Sequence, residues 1–405
     1  RAAGGHPIEP CFVTEFQRTS VPIAFPDGTR ALAAIDTGRV YVPGREAEAL
    51  PLSELELELE TGDVARLFEL ALAIADDVPL AAETRSKAQR GYALRAPDTP
   101  QPMRARAVEY ATTSTAAEAL GAILRNVLDQ IGANAAGVLE GDDPEWIHQL
   151  RVGVRRLRSA LALARPLVAP GMLGPLEDEA RWLASALGPA RDLDVLVTAT
   201  LPALADASEL VGTDAIPSGE ALATLAAAAQ LALREARDEA RQAVTSPRFQ
   251  RFLLALGAAA ATPLPAGGSD AGAPVSAYAR QALRRRHRRL RNAGDHVIGG
   301  TAAQRHAARI AAKKLRYAAE FFGPSFPGRR AQAYRDALAA LQETLGRLND
   351  AIAAVTLASA LTSPASGATA LVAGWAGARM QAESRTLKRA WTAFAKARPF
   401  WKDKE

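Results

Sequence analysis

Two segments of this chain place one histidine and three cations at helical spacing, the donor set that suits phosphate. The two sets are His148, Arg151, Arg155 and Arg158, and then His306, Arg309, Lys313 and Arg316. At about 100° per residue, each set falls within an arc of about 80° on an α-helix. Guanidinium and ammonium groups form charge-assisted hydrogen bonds with phosphate oxygens. Each segment therefore predicts a helix with a basic, anion-binding face and an apolar face for packing.

The two segments belong to an internal repeat. The offset from His148 to His306 is 306 − 148 = 158 residues, and Leu187-Gly188 and Asp192 recur at the same offset as Leu345-Gly346 and Asp350. A constant offset over some 60 residues indicates a duplicated helical unit, so we expect two pseudo-symmetric halves whose basic faces meet in a groove. We expect Asp192, Asp194 and Asp350 to orient arginines rather than bind metal.

A third basic stripe lies in the second repeat, on the segment that precedes the His306 helix. Residues 280–316 contain 12 Lys or Arg and one acid, Asp295. We predict that this stripe adds to the anion-binding surface, while a solvated helix face remains the alternative. The stripe consists of Arg280, Arg284, His287, Arg288 and Arg291.

The order of elements predicts a mainly α protein with a small α+β region at the start. Leu and Glu alternate strictly over 52–60, which is typical of a half-buried strand. Helical spacing begins at residue 63, and 97–110 has the composition of a linker. Residues 111–400 have helical patterns punctuated by Pro and Gly. We assign 1–96 to a first domain and 111–400 to antiparallel helical bundles, with repeats at about 111–260 and 275–400.

Composition narrows the function classes. The chain has 405 residues with a formal net charge of +5, and its single cysteine excludes a disulfide framework. No apolar stretch reaches the 20 or so residues of a membrane span, and no signal peptide is visible, so we expect a cytoplasmic protein. The composition disfavours nucleic-acid binding, because only 5% of the residues are aromatic and none of them lies within the arginine run 280–291. The oligomeric state stays open.

The duplicated His-x-x-Arg helices, each followed by Leu-Gly and Asp, resemble the CHAD domain, the conserved histidine α-helical domain. The resemblance covers about residues 111–400 and implies two four-helix bundles, binding of inorganic polyphosphate and localisation to polyphosphate granules, without a cofactor. It implies that the residues of the two histidine-led sets contact the ligand. Arg156 and Lys314 belong to the motif as well and lie at the edge of their respective arcs.

The first 96 residues resemble the second half of a CYTH domain, the triphosphate tunnel fold. The matching segments are 14–18, 36–38, 54–58 and 86–92. The resemblance implies an alternative function as a metal-dependent inorganic triphosphatase, using Mg or Mn, with the other half of the tunnel supplied. It implies Glu56 and Glu58 as metal ligands, and Arg18, Lys87 and Arg90 as triphosphate ligands.

Overall fold

A computed structural model describes residues 9–96, 100–211, 219–262, 269–363 and 367–401. Helices dominate, and one three-stranded antiparallel sheet lies near the N-terminus, which confirms the mainly α prediction. None of the helices in these ranges is long and apolar enough to cross a bilayer. The described chain divides into two compact units. They comprise Arg1–Pro102 with Thr245–Thr262, and Met103–Val244 with Pro263–Glu405.

The elements of the described ranges agree closely with the sequence patterns. The strands are β1 (Val13–Ala24), β2 (Arg30–Tyr41) and β3 (Leu50–Thr61). The helices are α1 (Ala65–Asp77), α2 (Lys87–Arg95), α3 (Ala116–Glu140), α4 (Pro144–Ala164), α5 (Gly174–Ala186), α6 (Gly188–Val195), α7 (Leu201–Val211), α8 (Gly219–Thr245), α9 (Pro247–Ala261), α10 (Val275–Gly294), α11 (Ala302–Phe321), α12 (Arg329–Leu361) and α13 (Ala368–Lys396).

In the first unit, the sheet has the order β1-β2-β3. The turn between β1 and β2 contains Gly28 with a φ of 88°, a conformation that L side chains rarely adopt. The register aligns Arg18 with Asp36 and Asp36 with Glu54 across the three strands. Because side chains alternate along a strand, the glutamates of β3 share one face and its leucines the other, as the sequence predicted.

Helices α1, α2 and α9 complete the first unit. α2 contacts β1 and β2, whereas α1 packs on β3 and α9. A capping box at Ser86, with reciprocal bonds to Gln89, fixes the start of α2. The sequence assigned α9 to the first helical repeat of 111–260, whereas the structure groups it with the sheet. Residues 97–99 of the predicted linker lie outside the described residues.

In the second unit, the repeat is visible in the helix boundaries. α4 begins at Pro144 and α11 at Ala302, which again differ by 302 − 144 = 158. Asp143 caps α4, and Thr301 caps α11. Equivalent helices contact each other, α4 with α11, α3 with α10, and α6 with α12. Like-to-like contact is what a two-fold relationship between the halves would produce.

The apolar face of α4 holds this unit together. Leu150, Val154, Leu157 and Leu161 are fully buried, as their helical positions predicted. α3 lies so close to α4 that a Cβ added at Gly137 would lie 2.0 Å from the Trp146 ring. With its apolar face fixed against α3, α4 must direct its opposite, basic face away from that contact.

Candidate functional site: a basic cleft between the helical repeats

The basic faces of α4 and α11 meet in a cleft of about 630 Å³, which α6 and α12 also line. The sequence-predicted residues that line it are His148, Arg151, Arg155, Arg156, Arg309, Lys313 and Arg316. Arg155 interacts electrostatically with Arg309 and with Lys313, so cations from the two repeats face each other across the cleft. The duplicated basic faces are thus part of one concave surface.

Three further arginines, which the sequence did not point to, also line the cleft: Arg104, Arg191 and Arg347. Arg191 directly precedes Asp192, but its counterpart at the offset of 158 is Asn349, so the repeat gave no signal for it. Arg104 lies in an irregular segment before α3, and Asn134 holds this segment in position. The side chain of Asn134 bonds both the backbone N–H and the carbonyl of Met103, which anchors this segment beside the cleft.

Positive charge is in excess along the cleft. Nine basic and four acidic side chains line it, which leaves five positive charges over. Within the described parts of the chain, five of the basic groups form no ion pair: Arg104, Arg155, Arg309, Lys313 and Arg316. The Nε atoms of Arg155 and Arg309 are buried and lack a hydrogen-bond acceptor. Buried donors normally have partners, so these two point to an acceptor that a ligand supplies.

Of the three acids predicted to orient arginines, Asp192 and Asp194 each contact one. Arg151 donates to the carbonyl of Leu187 at 2.9 Å and reaches Asp192 at 3.5 Å. Asp194 accepts from Arg191 at 2.7 Å. The contacts of Arg151 fix its guanidinium beside the N-terminal part of α6, and they leave the other cations of the cleft unneutralised.

Burial and mutual repulsion shift the titration of the cleft residues. Burial, with the charge of Arg191 and its neighbours, lowers the pKa of His148 to about 4, so this histidine is neutral at pH 7. Burial, together with Arg309 and Arg155, lowers the pKa of Lys313 to about 7. Burial also lowers the pKa of Arg309. A bound anion would relieve this repulsion.

The structure corrects the assignment of Arg156. Its side chain is fully buried beneath the cleft, where it donates to Glu320 at 2.9 Å, Gln130 at 2.7 Å and Asn126 at 2.8 Å. Its guanidinium also lies over the Phe321 ring. With these donors engaged, Arg156 joins α4 to α3 and α11 rather than facing a ligand.

Unlike Arg156, the remaining predicted residues lie outside the cleft lining. Arg158, Lys314, Arg284 and Arg288 are exposed elsewhere on their helices. Arg291 lies over the Trp391 ring and donates to the carbonyl of Ala395, so it supports the packing of α13. His306 is exposed at the edge, with its Nδ1 3.4 Å from the Asn349 side chain of the lining. The two histidine positions are therefore not equivalent.

In the first unit, the residues predicted to bind triphosphate and metal contact each other. Arg18 donates to Asp36 through two bonds of 2.7 Å and to Glu56 through a third. Its guanidinium lowers the pKa of Asp36 to about 2. Arg90 pairs with Glu54. The predicted cations are thus neutralised by the acidic face of the sheet.

These carboxylates do not fit a metal ion in this arrangement. Asp36, Glu54 and Glu56 converge closely enough to share a cation, whereas the predicted ligand Glu58 is outside that group. The ammonium of Lys87 lies among them, at 2.8, 2.6 and 2.5 Å from Asp36, Glu54 and Glu56. A lysine already occupies the position that a cation would take.

The family of the helical unit follows from comparison with known proteins. The family model of the CHAD domain matches residues 122–359, more than half of the chain. The chain belongs to the CHAD family. The crystal structure of the CHAD domain from the plant Ricinus communis is 35% identical, covers 74% of this chain and 98% of its own, and superposes with a TM-score of 0.62. The matched range contains every residue of the cleft lining except Arg104 and Ala105.

Two more distant similarities were found. The structure of PptA from Streptomyces chartreusis is 22% identical, with a TM-score of 0.50 and coverage of 70% of this chain and 99% of its own, and it shares the CHAD fold. An inorganic triphosphatase of Haemophilus influenzae is 32% identical over 87 residues, which are 22% of this chain. The CHAD-family chain spans about a quarter (24%) of the length of that curated relative.

Proposed function

We propose that the CHAD domain binds inorganic polyphosphate in the basic cleft, through two related helical bundles that each contribute one basic face. The carrying observation is the group of five cleft cations without a carboxylate partner in the described chain, two of which have a buried, unsatisfied Nε. Such groups favour a ligand that is rich in acceptor oxygens and negative along its whole length. Polyphosphate satisfies both conditions with no base or apolar part to accommodate.

Each class of contact has a separate role in this proposal. Arg155, Arg309 and Lys313 form the strongest part of the field, because they are half-buried and close to one another. Arg151 is held by Leu187 and Asp192, so little side-chain entropy is lost when it binds. Neutral His148 can donate one hydrogen bond without adding charge. No bond in the ligand needs to break.

The cleft favours polyphosphate over nucleic acid. Sequence-tolerant binding of single strands uses aromatic side chains on which bases stack. The aromatic residue of the cleft lining is Tyr317, and it is 6% exposed. We therefore expect polyphosphate to displace single-stranded DNA at equal phosphate concentration and equal salt. A protein with this preference would be recruited to polyphosphate granules in the cytoplasm.

The test is a binding titration with long-chain polyphosphate. The double substitution Arg151→Ala with Arg309→Ala should weaken binding by well over tenfold, since each removes a charge-assisted hydrogen bond of about 1.5–3 kcal/mol. The matched control is Arg284→Ala with Arg288→Ala, which removes the same charge outside the cleft. Equal losses from the two pairs would show nonspecific attraction and refute the assigned site. Circular dichroism checks that both variants stay folded.

A second function, hydrolysis of inorganic triphosphate, is supported by the similarity over 87 residues and by the acidic face of the sheet. Opposing it, Lys87 lies among the three carboxylates that would hold a metal. The test of this second function is an assay of phosphate release from triphosphate with Mg or Mn present. Release that is abolished by Glu56→Gln would establish this activity, and a rate equal to the buffer blank would dismiss it for this chain.

A further inference from the structure

Lys313 has an unusual environment for a lysine. It lies half-buried in the wall of the cleft, one turn after Arg309, and both Arg155 and Arg151 act on it from α4. The acid that acts on it is Asp350 of α12. Across the described ranges, no carboxylate lies within ion-pair distance of its ammonium. Three neighbouring cations and partial burial thus oppose its protonation.

Two unpartnered donors lie in the same cleft lining as this lysine. They are the Nε groups of Arg155 from the first repeat and of Arg309 from the second, and both arginines interact electrostatically with Lys313. Both are buried in the cleft wall, so a phosphate that satisfies them comes into the reach of Lys313. Whatever the phosphate carries as a substituent would then meet the Lys313 amine.

We propose that Lys313 is a covalent modification site that acyl phosphates acylate. An acyl phosphate is a small molecule in which a carboxyl group is joined to phosphate as a mixed anhydride. The inference rests on the proposed function only in that the same cleft recognises phosphate. It adds a chemical reaction that polyphosphate binding does not require.

The reaction needs no further reactant. The lone pair of the Lys313 Nζ forms a bond to the acyl carbon, and the bond from that carbon to the phosphate oxygen breaks. The electron pair leaves with the oxygen, so the products are an amide and inorganic phosphate. The nitrogen loses its extra proton to the departing phosphate or to water. Arg155 and Arg309 stabilise the negative charge that grows on the leaving group.

Lys313 is suited to this reaction because its amine is available at neutral pH. With its pKa lowered to about 7 by burial and by Arg309 and Arg155, roughly half of the molecules have a neutral amine at pH 7. Lys314 is the adjacent residue, but it is exposed and outside the cleft lining. It provides an internal comparison on the same helix. The amide removes one cleft charge, so acylation should weaken polyphosphate binding.

The experiment exposes the full chain to acetyl phosphate at pH 7.5 and follows acetylation at each lysine by mass spectrometry. The variants Lys313→Arg and Lys314→Arg assign the signal to one of the two adjacent positions. We expect acetylation at Lys313 to be at least about tenfold faster than at Lys314, because the Lys313 amine is partly deprotonated and lies in the cleft lining, whereas Lys314 lies outside it. Inorganic phosphate should suppress the Lys313 rate. Acetic anhydride, which lacks phosphate, should give a smaller preference.

Equal rates at the two lysines, or a Lys313 rate that phosphate does not suppress, would overturn the inference. A polyphosphate titration of the unmodified protein in the same buffer separates this outcome from failure of the proposed function. Tight polyphosphate binding without preferential acetylation refutes only the modification site. Preferential, phosphate-sensitive acetylation without polyphosphate binding supports the modification site and refutes the proposed function.

Discussion

Polyphosphate binding to the cleft should depend on pH through a single lysine. Free Lys313 has a pKa of about 7, because burial and the charges of Arg309 and Arg155 disfavour its ammonium form. A bound polyanion reverses this balance and returns the pKa to its ordinary value, about 10.4, or higher. Binding then takes up a proton whenever the lysine starts neutral. The affinity is therefore highest below pH 7 and falls as the pH rises.

The magnitude follows from the two pKa values. Between pH 6 and pH 9, the protonated fraction of free Lys313 falls from about 0.9 to about 0.01. If the neutral lysine contributed nothing, the affinity would fall by roughly 90-fold, or about 2.7 kcal/mol at 1.36 kcal/mol per pH unit. A neutral amine still donates hydrogen bonds, so we expect a fall of at least about tenfold. His148 is neutral in the free protein over this range, because its pKa is about 4. A bound polyanion raises this pKa as well, so the contribution of Lys313 is measured above pH 7, where the histidine stays neutral.

The assay is isothermal titration calorimetry with long polyphosphate, whose internal units do not titrate over this range. Buffers with different ionisation enthalpies give the number of protons taken up. We expect about 0.5 proton per site at pH 7 and close to 1 at pH 8.5. The control Lys313→Arg keeps the charge at every pH, so its affinity should be nearly constant. Proton uptake of zero at pH 8.5, or the same pH profile in Lys313→Arg, would refute the reasoning.

Three further predictions concern positions where the structure assigns distinct roles. Arg156→Ala should lower the free energy of unfolding by about 3–5 kcal/mol in denaturant titrations, because it leaves buried polar partners unpaired. The control Arg158→Ala, at an exposed position, should change it by less than about 0.5 kcal/mol. Similar values for the two variants would contradict the structural role of Arg156. Arg191→Ala should weaken polyphosphate binding and reduce the slope of log affinity against log salt by about one, and an unchanged slope would place Arg191 off the ligand. Asp36→Asn should lower the melting temperature at pH 7, because the ion pair with Arg18 lowers the pKa of Asp36 to about 2 and so stabilises the fold. That stabilisation is present above about pH 4 and is lost as the pH falls towards 2, so the melting temperatures of variant and wild type should converge there. A difference in melting temperature that is the same at every pH would contradict this role.

The sequence was sufficient to predict the helices and their basic faces. The spacing from His148 to Arg155 fixes direction around a single helix axis, because 3.6 residues per turn is a local property. The offset of 158 predicted a second copy, and α11 begins where that offset requires. The alternation over β3 predicted its two faces for a similar local reason.

The sequence was insufficient to predict which cations are available. Arg155 and Arg156 are adjacent in the chain and both border the cleft, yet Arg155 keeps an unpartnered Nε, whereas Arg156 is fully buried and bonded to other side chains. Their fates differ because Glu320 of α11 and Gln130 of α3 surround Arg156. Contacts from other helices depend on how those helices cross, which periodicity along α4 does not contain. The same reason explains why the arginines of α10 do not line the cleft.

Chemical properties of the cleft also arise only in the folded chain. Arg104 reaches the site through Asn134, which binds the backbone of Met103 about 30 residues earlier in the chain. Lys313 and Lys314 have the same side chain and are adjacent in the chain, but of the two, Lys313 lines the cleft and interacts with Arg155. The sequence by itself determined that the protein would have two basic helical faces. The tertiary structure decided their convergence, their desolvation and the pKa of Lys313, because electrostatic interactions depend on distance through space and on burial.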